Sequence, residues 1–327
     1  MSNPILEIKD LKVYYHVEAG AVKAVDGVNV DLDPGTKMGL VGESGSGKST
    51  MALALMRMHK SPAKIEGGEL ILDGVDLLKL SAEEMRQARL RDLSMIPQGA
   101  MNSLHPLLRI GDQIVDGIKD HNVALSQSEM QERVEALLQS VELNPRVARM
   151  YPHELSGGMK QRACMAIAIS MQPKLVIADE PTSALDVVIQ RQVMETMDRL
   201  QDEMDLSIIL IGHDMGLMAQ FVDRLAVMYA GKLMEVGDTE AIFAEPLHPY
   251  TEALIRSLPV LENKGVFEGI PGITPSLLDV PPGCVFHTRC PKAMDVCKQV
   301  IPEYREIKPG HFAACHLHSL QGHGVER

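Results

Sequence analysis

Gly42-Glu43-Ser44-Gly45-Ser46-Gly47-Lys48-Ser49 has the residue types and spacing, G-x-x-x-x-G-K-[ST], of a loop that wraps a chain of phosphates. Glycines let successive backbone N–H groups curl around phosphate oxygens, and a helix starting in the loop adds positive potential at its N-terminus. Lys48 would reach the β and γ phosphates, and the Ser49 hydroxyl would take a place on Mg²⁺, with Thr50 beginning the helical run to Met58. A second glycine pair, in Leu155-Ser156-Gly157-Gly158-Met159, stands too far along the chain to belong to the same loop. It needs a phosphate of its own, and the economical source is ATP held by a second, similar subunit. Together the two motifs describe half of an ATP-driven clamp.

Leu175-Val176-Ile177-Ala178-Asp179-Glu180 is an apolar strand ending in two carboxylates. Such a strand can set Asp179 beside the Mg²⁺ shell and Glu180 beside the water that attacks the γ-phosphate. Gln98 follows the apolar run Leu93 to Pro97, and His213 follows Ser207 to Ile211. Both fall at the C-terminal ends of strands, where an open α/β sheet presents its ligand site. Gln98 could then touch Mg²⁺ or the attacking water, and His213 the γ-phosphate. Taken alone, His213 reads as a surface or capping residue; the constellation gives it a role.

These groups require a sheet to hold them. Short apolar runs at 5–13, 21–31, 38–41, 70–72, 93–97, 175–178, 207–211 and 225–229 alternate with helical patterns, the mark of an α/β fold with a parallel core. The alternation in the first two runs and around Glu69 suggests an antiparallel part beside it. Ser81 with Glu84, and Ser126 with Glu129, have capping-box spacing, and Met130, Val134, Leu137, Leu138 and Val141 share a helical face. Residues 99–165 read as a mostly helical insert. The expected division is 1–245 for the nucleotide-binding domain and 246–327 for a small loop-rich region marked by Pro271-Gly272, Pro281-Pro282-Gly283 and Pro309-Gly310.

Composition removes several classes. Lys+Arg total 32 against 44 Asp+Glu, a formal net charge of −12, which disfavours a broad grip on nucleic acid. Trp is absent and aromatics are 3%, so base-stacking platforms are not expected. No apolar run is long enough to span a membrane, and the start of the chain lacks signal-peptide character, so a cytoplasmic location is expected. The 21 methionines read as core filler.

The order of the phosphate loop, Gln98, Leu155–Met159, Asp179-Glu180, Ser183-Ala184-Leu185-Asp186 and His213 resembles the ATP-binding subunit of an ABC transporter over residues 5–240. The resemblance implies a P-loop ABC-type fold and an ATPase. It implies that Tyr15 stacks on adenine, that Ser156, Gly157 and Gly158 contact the γ-phosphate on a partner subunit, and that Asp186 reports across the dimer. Tyr229-Ala230-Gly231, His248-Pro249-Tyr250-Thr251, Met159 and the cysteine-rich tail are similar to the dipeptide/oligopeptide branch of importers. That branch implies a heterodimer with a related ATPase, two membrane permeases, an external substrate-binding protein, and a place on the cytoplasmic face of the cell membrane. One departure stands out: Gly99-Ala100 follows Gln98 where peptide members have Asp-Pro. Oligosaccharide cargo is therefore an alternative. A soluble non-transport ABC ATPase is a weaker one, because the chain holds a single cassette and no long coiled coil.

Cys284, Cys290, Cys297 and Cys315 crowd the last fifth of the chain, while Cys164 stands alone. Their spacing matches neither common zinc pairs nor the compact run of bacterial ferredoxins. Four thiolates in a loop-rich segment suit a [4Fe–4S] cluster, which relatives in this branch carry there. Zn²⁺, with His287, His311 or His316 as substitute ligands, is the alternative, and unligated core thiols the third reading.

Overall fold

Pairing of short, fully buried strands fixes where the chemistry can occur. A computed structural model describes residues 3–183, 185–258 and 269–321. It resolves into two units. One takes in the chain up to Ile5, Leu32–Lys37 and Asp73–Ile211; the other takes in Leu6–Asp31, Met38–Leu72 and the chain from Gly212 onward.

In the first unit three parallel strands lie in the order β6 (Leu93–Ile96), β7 (Leu175–Asp179), β8 (Ser207–Gly212). All residues of β7 and β8 are buried, as expected of unbroken apolar runs covered on both faces. The register pairs Ile96 with Ala178 and Asp179 with Ile211. Residues just beyond Ile96 and Ala178 therefore emerge side by side at one end of this sheet.

Around these strands stand α2 (Ala82–Arg91), α3 (Ile110–Lys119), α4 (Gln127–Ser140), α5 (Gly157–Ala168) and α6 (Val187–Met204), with a two-residue strand β5 (Val75–Asp76). Both expected capping boxes form: Ser81 with Glu84 starts α2, and Ser126 with Glu129 starts α4. Each satisfies backbone donors that the first helical turn leaves open.

In the second unit an antiparallel sheet runs β2 (Gly20–Leu32), β1 (Leu6–Val17), β4 (Ala63–Leu72). A second sheet runs β11 (Arg305–Lys308), β12 (His311–Ala313), β10 (Lys232–Asp238), β9 (Arg224–Tyr229), β3 (Lys37–Val41). Here β3 and β9 are parallel, and the rest are antiparallel. The helices are α1 (Lys48–Leu55), α7 (Met215–Phe221), α8 (Thr239–Ala244) and α9 (Pro249–Arg256).

Three strands of the second unit escape a reading of local pattern. Tyr229 and Lys232 close a hairpin through Ala230 and Gly231, both at positive φ, the backbone a two-residue turn requires. Pairing of Glu235 with Ala313 then adds β12 and β11 to the same sheet. Strands thus tie down a region that its proline content marks as loop-rich. Among the described residues no helix is long and apolar enough to cross a membrane.

Candidate functional site

The phosphate loop connects β3 to α1, and its glycines are sterically enforced. A Cβ on Gly42 would lie 2.1 Å from the Met228 carbonyl oxygen, and one on Gly47 would lie 2.0 Å from that of Ala24. Both have positive φ. Inside this turn the Lys48 ammonium donates to the carbonyls of Gly42 at 2.8 Å and Glu43 at 3.0 Å. Tyr15 on β1 shares a 3.2 Å hydrogen bond with the Thr50 hydroxyl, so the expected adenine ring partner is fixed to the first turn of α1. Ser44, Gly45, Ser46 and Ser49 complete the loop, with Ser46 fully buried.

The Glu43 backbone N–H donates to the Tyr250 hydroxyl at 2.9 Å. Its carboxylate receives both Nη groups of Arg289, at 2.6 and 3.0 Å, and the Thr274 hydroxyl at 2.7 Å. Burial opposes the Glu43 charge, but these bonds outweigh it and hold the carboxyl below its ordinary pKa. Neither Tyr250 nor Arg289 was given a role from sequence. Tyr250 lies in a quoted motif, but Arg289 carries no local signal.

The first unit holds the carboxylates. Asp179 closes β7 in a buried position, and Glu180 follows with φ 46°, an uncommon conformation for glutamate. Gln98 stands two residues beyond Ile96, and its Nε2 donates to Glu180 Oε2 at 2.8 Å. The β6–β7 register explains why residues 82 apart meet. Ser156 accepts from the Met159 N–H and caps α5, which opens with Gly157 and Gly158. A Cβ on Gly158 would lie 2.7 Å from Ile189 Cγ2, so the glycine permits α5 to approach the start of α6. Asp186 caps α6 by accepting from the Ile189 N–H at 3.0 Å. Ala184, in the same segment, lies outside the described residues. In the second unit His213 follows β8 in an exposed position.

The cysteine segment is drawn together without a compact ion-binding group. Cys284 N–H donates to the Cys297 carbonyl at 2.8 Å. Burial pushes the Cys284 and Cys315 thiols up to about 11, and their neighbouring cysteines add to this. Yet among the described residues no group of three or more His, Cys, Asp or Glu is arranged to hold a metal ion. A zinc ion at about 2.3 Å from each sulfur would need thiolates roughly 4 Å apart. Neither the [4Fe–4S] reading nor the zinc alternative finds such a group among the described residues, and one suggested zinc ligand, His311, donates Nε2 to Glu235 at 2.7 Å. Cys164 is packed in α5, donating to the Ala100 carbonyl, and burial raises its thiol to about 12.

Tyr229, Tyr250 and Phe286 pack with centroids 4.6 to 5.2 Å apart, beside the fully buried His248. Nδ1 of His248 accepts from the Tyr250 N–H at 3.0 Å, a bond that a protonated ring cannot make. Burial, above all, lowers this imidazole from 6.5 to about 4, with His318 adding to it against Glu235. The unfolded chain therefore takes up a proton that the folded chain refuses. Stability present above pH 6.5 should fall as pH drops toward about 4, by on the order of 3 kcal/mol. Urea denaturation at stepped pH measures this, and His248→Asn, which keeps an acceptor but does not titrate, should flatten the slope in that window.

The loop, the strand-end acids and the capped glycine helix define an ATP-binding cassette. Residues 25–183 match the family model "ABC transporter", and residues 234–297 match "Oligopeptide/dipeptide transporter, C-terminal region". The oligopeptide transport ATP-binding protein AppF of Bacillus subtilis is 42% identical, over 96% of this chain and 98% of its own length. The dipeptide transport ATP-binding protein DppD of Lactococcus lactis is 43% identical, over 94% of this chain and 89% of its own. A cassette solved as a dimer in a post-hydrolysis state with ADP and Pi has a TM-score of 0.64 at 26% identity, covering 72% of this chain and 98% of that one. The chain belongs to the oligopeptide/dipeptide branch of ABC transporter ATP-binding proteins. It is an ATPase of that family.

Proposed function

We propose that this chain hydrolyses ATP to drive an importer of oligopeptides or dipeptides, from the cytoplasmic face of the membrane. The observation that carries the hydrolytic reading is the 2.8 Å bond from Gln98 to Glu180 at adjoining strand ends. Gly42 to Thr50 bind the triphosphate of ATP, and Tyr15 stacks on its adenine. By the family resemblance, Ser49, Gln98 and Asp179 would hold Mg²⁺, which when bound draws charge from the phosphates. Glu180 takes the proton of the attacking water, and His213 responds to the γ-phosphate. Ser156, Gly157, Gly158 and Asp186 face the nucleotide of a second cassette. Exposed Val187 and Val188, beside Asp186, support a partner surface at that point. Closure of two cassettes on ATP then moves two permeases that receive peptide from an external binding protein.

The second cassette is read as a related chain, making a heterodimer. Residues 1–245 are read as the cassette and 246–327 as the branch-specific region. The named relatives serve peptides, and oligosaccharide cargo draws no support from them. Cys284, Cys290, Cys297 and Cys315 are read as ligands of a [4Fe–4S] cluster. The reading rests on the four-cysteine pattern and the branch resemblance of this segment; no grouping of side chains among the described residues adds to it. Such a cluster would staple the segment.

Tagged Glu180→Gln protein, trapped with ATP and recovered anaerobically from native membranes, tests the whole reading. Two permeases, a sibling ATPase, and iron with acid-labile sulfide are the expected yield. Recovery of ribosomal or DNA-bound partners without a membrane chain would overturn transport. Zinc, or no metal, would overturn the cluster.

A further inference from the structure

Arg289 immediately precedes Cys290, on the segment that carries the cysteines, yet its guanidinium ends on the phosphate loop. Glu43, the second residue of that loop, poses an electrostatic problem, because a carboxylate there would repel the phosphates the loop must hold. Arg289 meets both of its oxygens in a bidentate pair. The remaining donors are also used: Nε on the Pro271 carbonyl, Nη2 on that of Ile270, and Nη1 on the hydroxyls of Tyr229 and Thr274. The side chain is only 4% exposed, and its charged carbon lies 5.7 Å from the Tyr229 ring centroid. A flexible cation held by this many partners is set in one place. Tyr250 fixes the backbone of Glu43 as well, and its ring packs on Phe286 of the cysteine segment.

We infer that Arg289 is a positioning residue for ATP binding: it neutralises Glu43, holds that carboxylate off the phosphate path, and so makes the loop's nucleotide affinity depend on the folded cysteine segment. This rests on the reading of residues 42–49 as the ATP loop. Loss of order around Cys290 would release Arg289 and return an unpaired negative charge to the loop. A residue that only supports the fold would change stability, and removing Glu43 as well would do further harm. A neutralising residue predicts the opposite, because the second substitution removes the charge that needed neutralising.

Equilibrium titration with a fluorescent ATP analogue on the full chain distinguishes these, comparing wild type, Arg289→Met, Glu43→Gln and the double variant. Arg289→Met should bind about tenfold more weakly, ~1.4 kcal/mol. It should raise KM for ATP while kcat at saturation stays within about twofold. The double variant should recover to within about threefold of wild type. Wild-type affinity in Arg289→Met, or a double variant as weak as Arg289→Met, overturns the inference. A wild-type chain that binds no ATP instead overturns the reading of the loop itself. Should Arg289→Met fail to fold, Arg289→Gln serves, since its amide keeps hydrogen-bonding groups but carries no charge to neutralise Glu43. Weakened binding in that variant, restored by Glu43→Gln, supports the inference; wild-type affinity overturns it.

Discussion

Glu180→Gln should slow ATP turnover by about a hundredfold or more, while ATP binding stays within about twofold. Glutamine preserves the length of the side chain and can accept from Gln98 Nε2 through its amide oxygen, so the 2.8 Å contact survives. What it lacks is a carboxylate able to take the proton of the attacking water. The phosphate loop lies elsewhere in the sequence and keeps its own geometry, with Lys48 on the Gly42 and Glu43 carbonyls. Binding and chemistry should therefore separate cleanly. Phosphate release under single-turnover conditions reads the chemical step, and size chromatography with ATP reads the closed pair of cassettes. A variant that hydrolyses at the wild-type rate would remove Glu180 from the role of base and leave the nucleotide site standing.

That separation follows a division in what sequence could convey. The phosphate loop is a local object: eight consecutive residues, a strand before them and a helix after. Its backbone need for glycine is written into the same eight positions. Strands β7 and β8 were equally plain, because burial on both faces demands unbroken apolar runs. The meeting of Gln98 with Glu180 required only that two recognisable strands lie in parallel register. The C-terminal segment is different. Strands β11 and β12 are short, and they form because β10 offers an edge to which Ala313 can pair with Glu235. Nothing in residues 305–313 shows that edge. Arg289 is likewise silent until the fold carries it to Glu43, 246 positions away.

Glu235 is the other residue of this kind, and Glu235→Ala should lower the stability of the chain by about 3–5 kcal/mol. The carboxylate is completely buried on β10 and gathers three donors: the backbone N–H of Leu247 at 2.7 Å, that of His248 at 2.9 Å, and His311 Nε2 at 2.7 Å. A buried charge is costly by itself, and the bonds offset that cost. Alanine removes the acceptor and leaves its donors buried without it. The penalty is then the desolvation of those groups, which exceeds the modest net worth of any one bond. Against a typical total of about 5–15 kcal/mol, such a loss would bring the chain close to unfolding at physiological temperature. Glu235→Gln retains one carbonyl acceptor and should lose less. Urea denaturation followed by circular dichroism measures both. Because His311 lies on β12 and His248 caps α9, this single side chain joins the tail strand to the helix that carries Tyr250. A change below about 1 kcal/mol would show instead that strand pairing and the Tyr229–Tyr250–Phe286 cluster hold the segment alone.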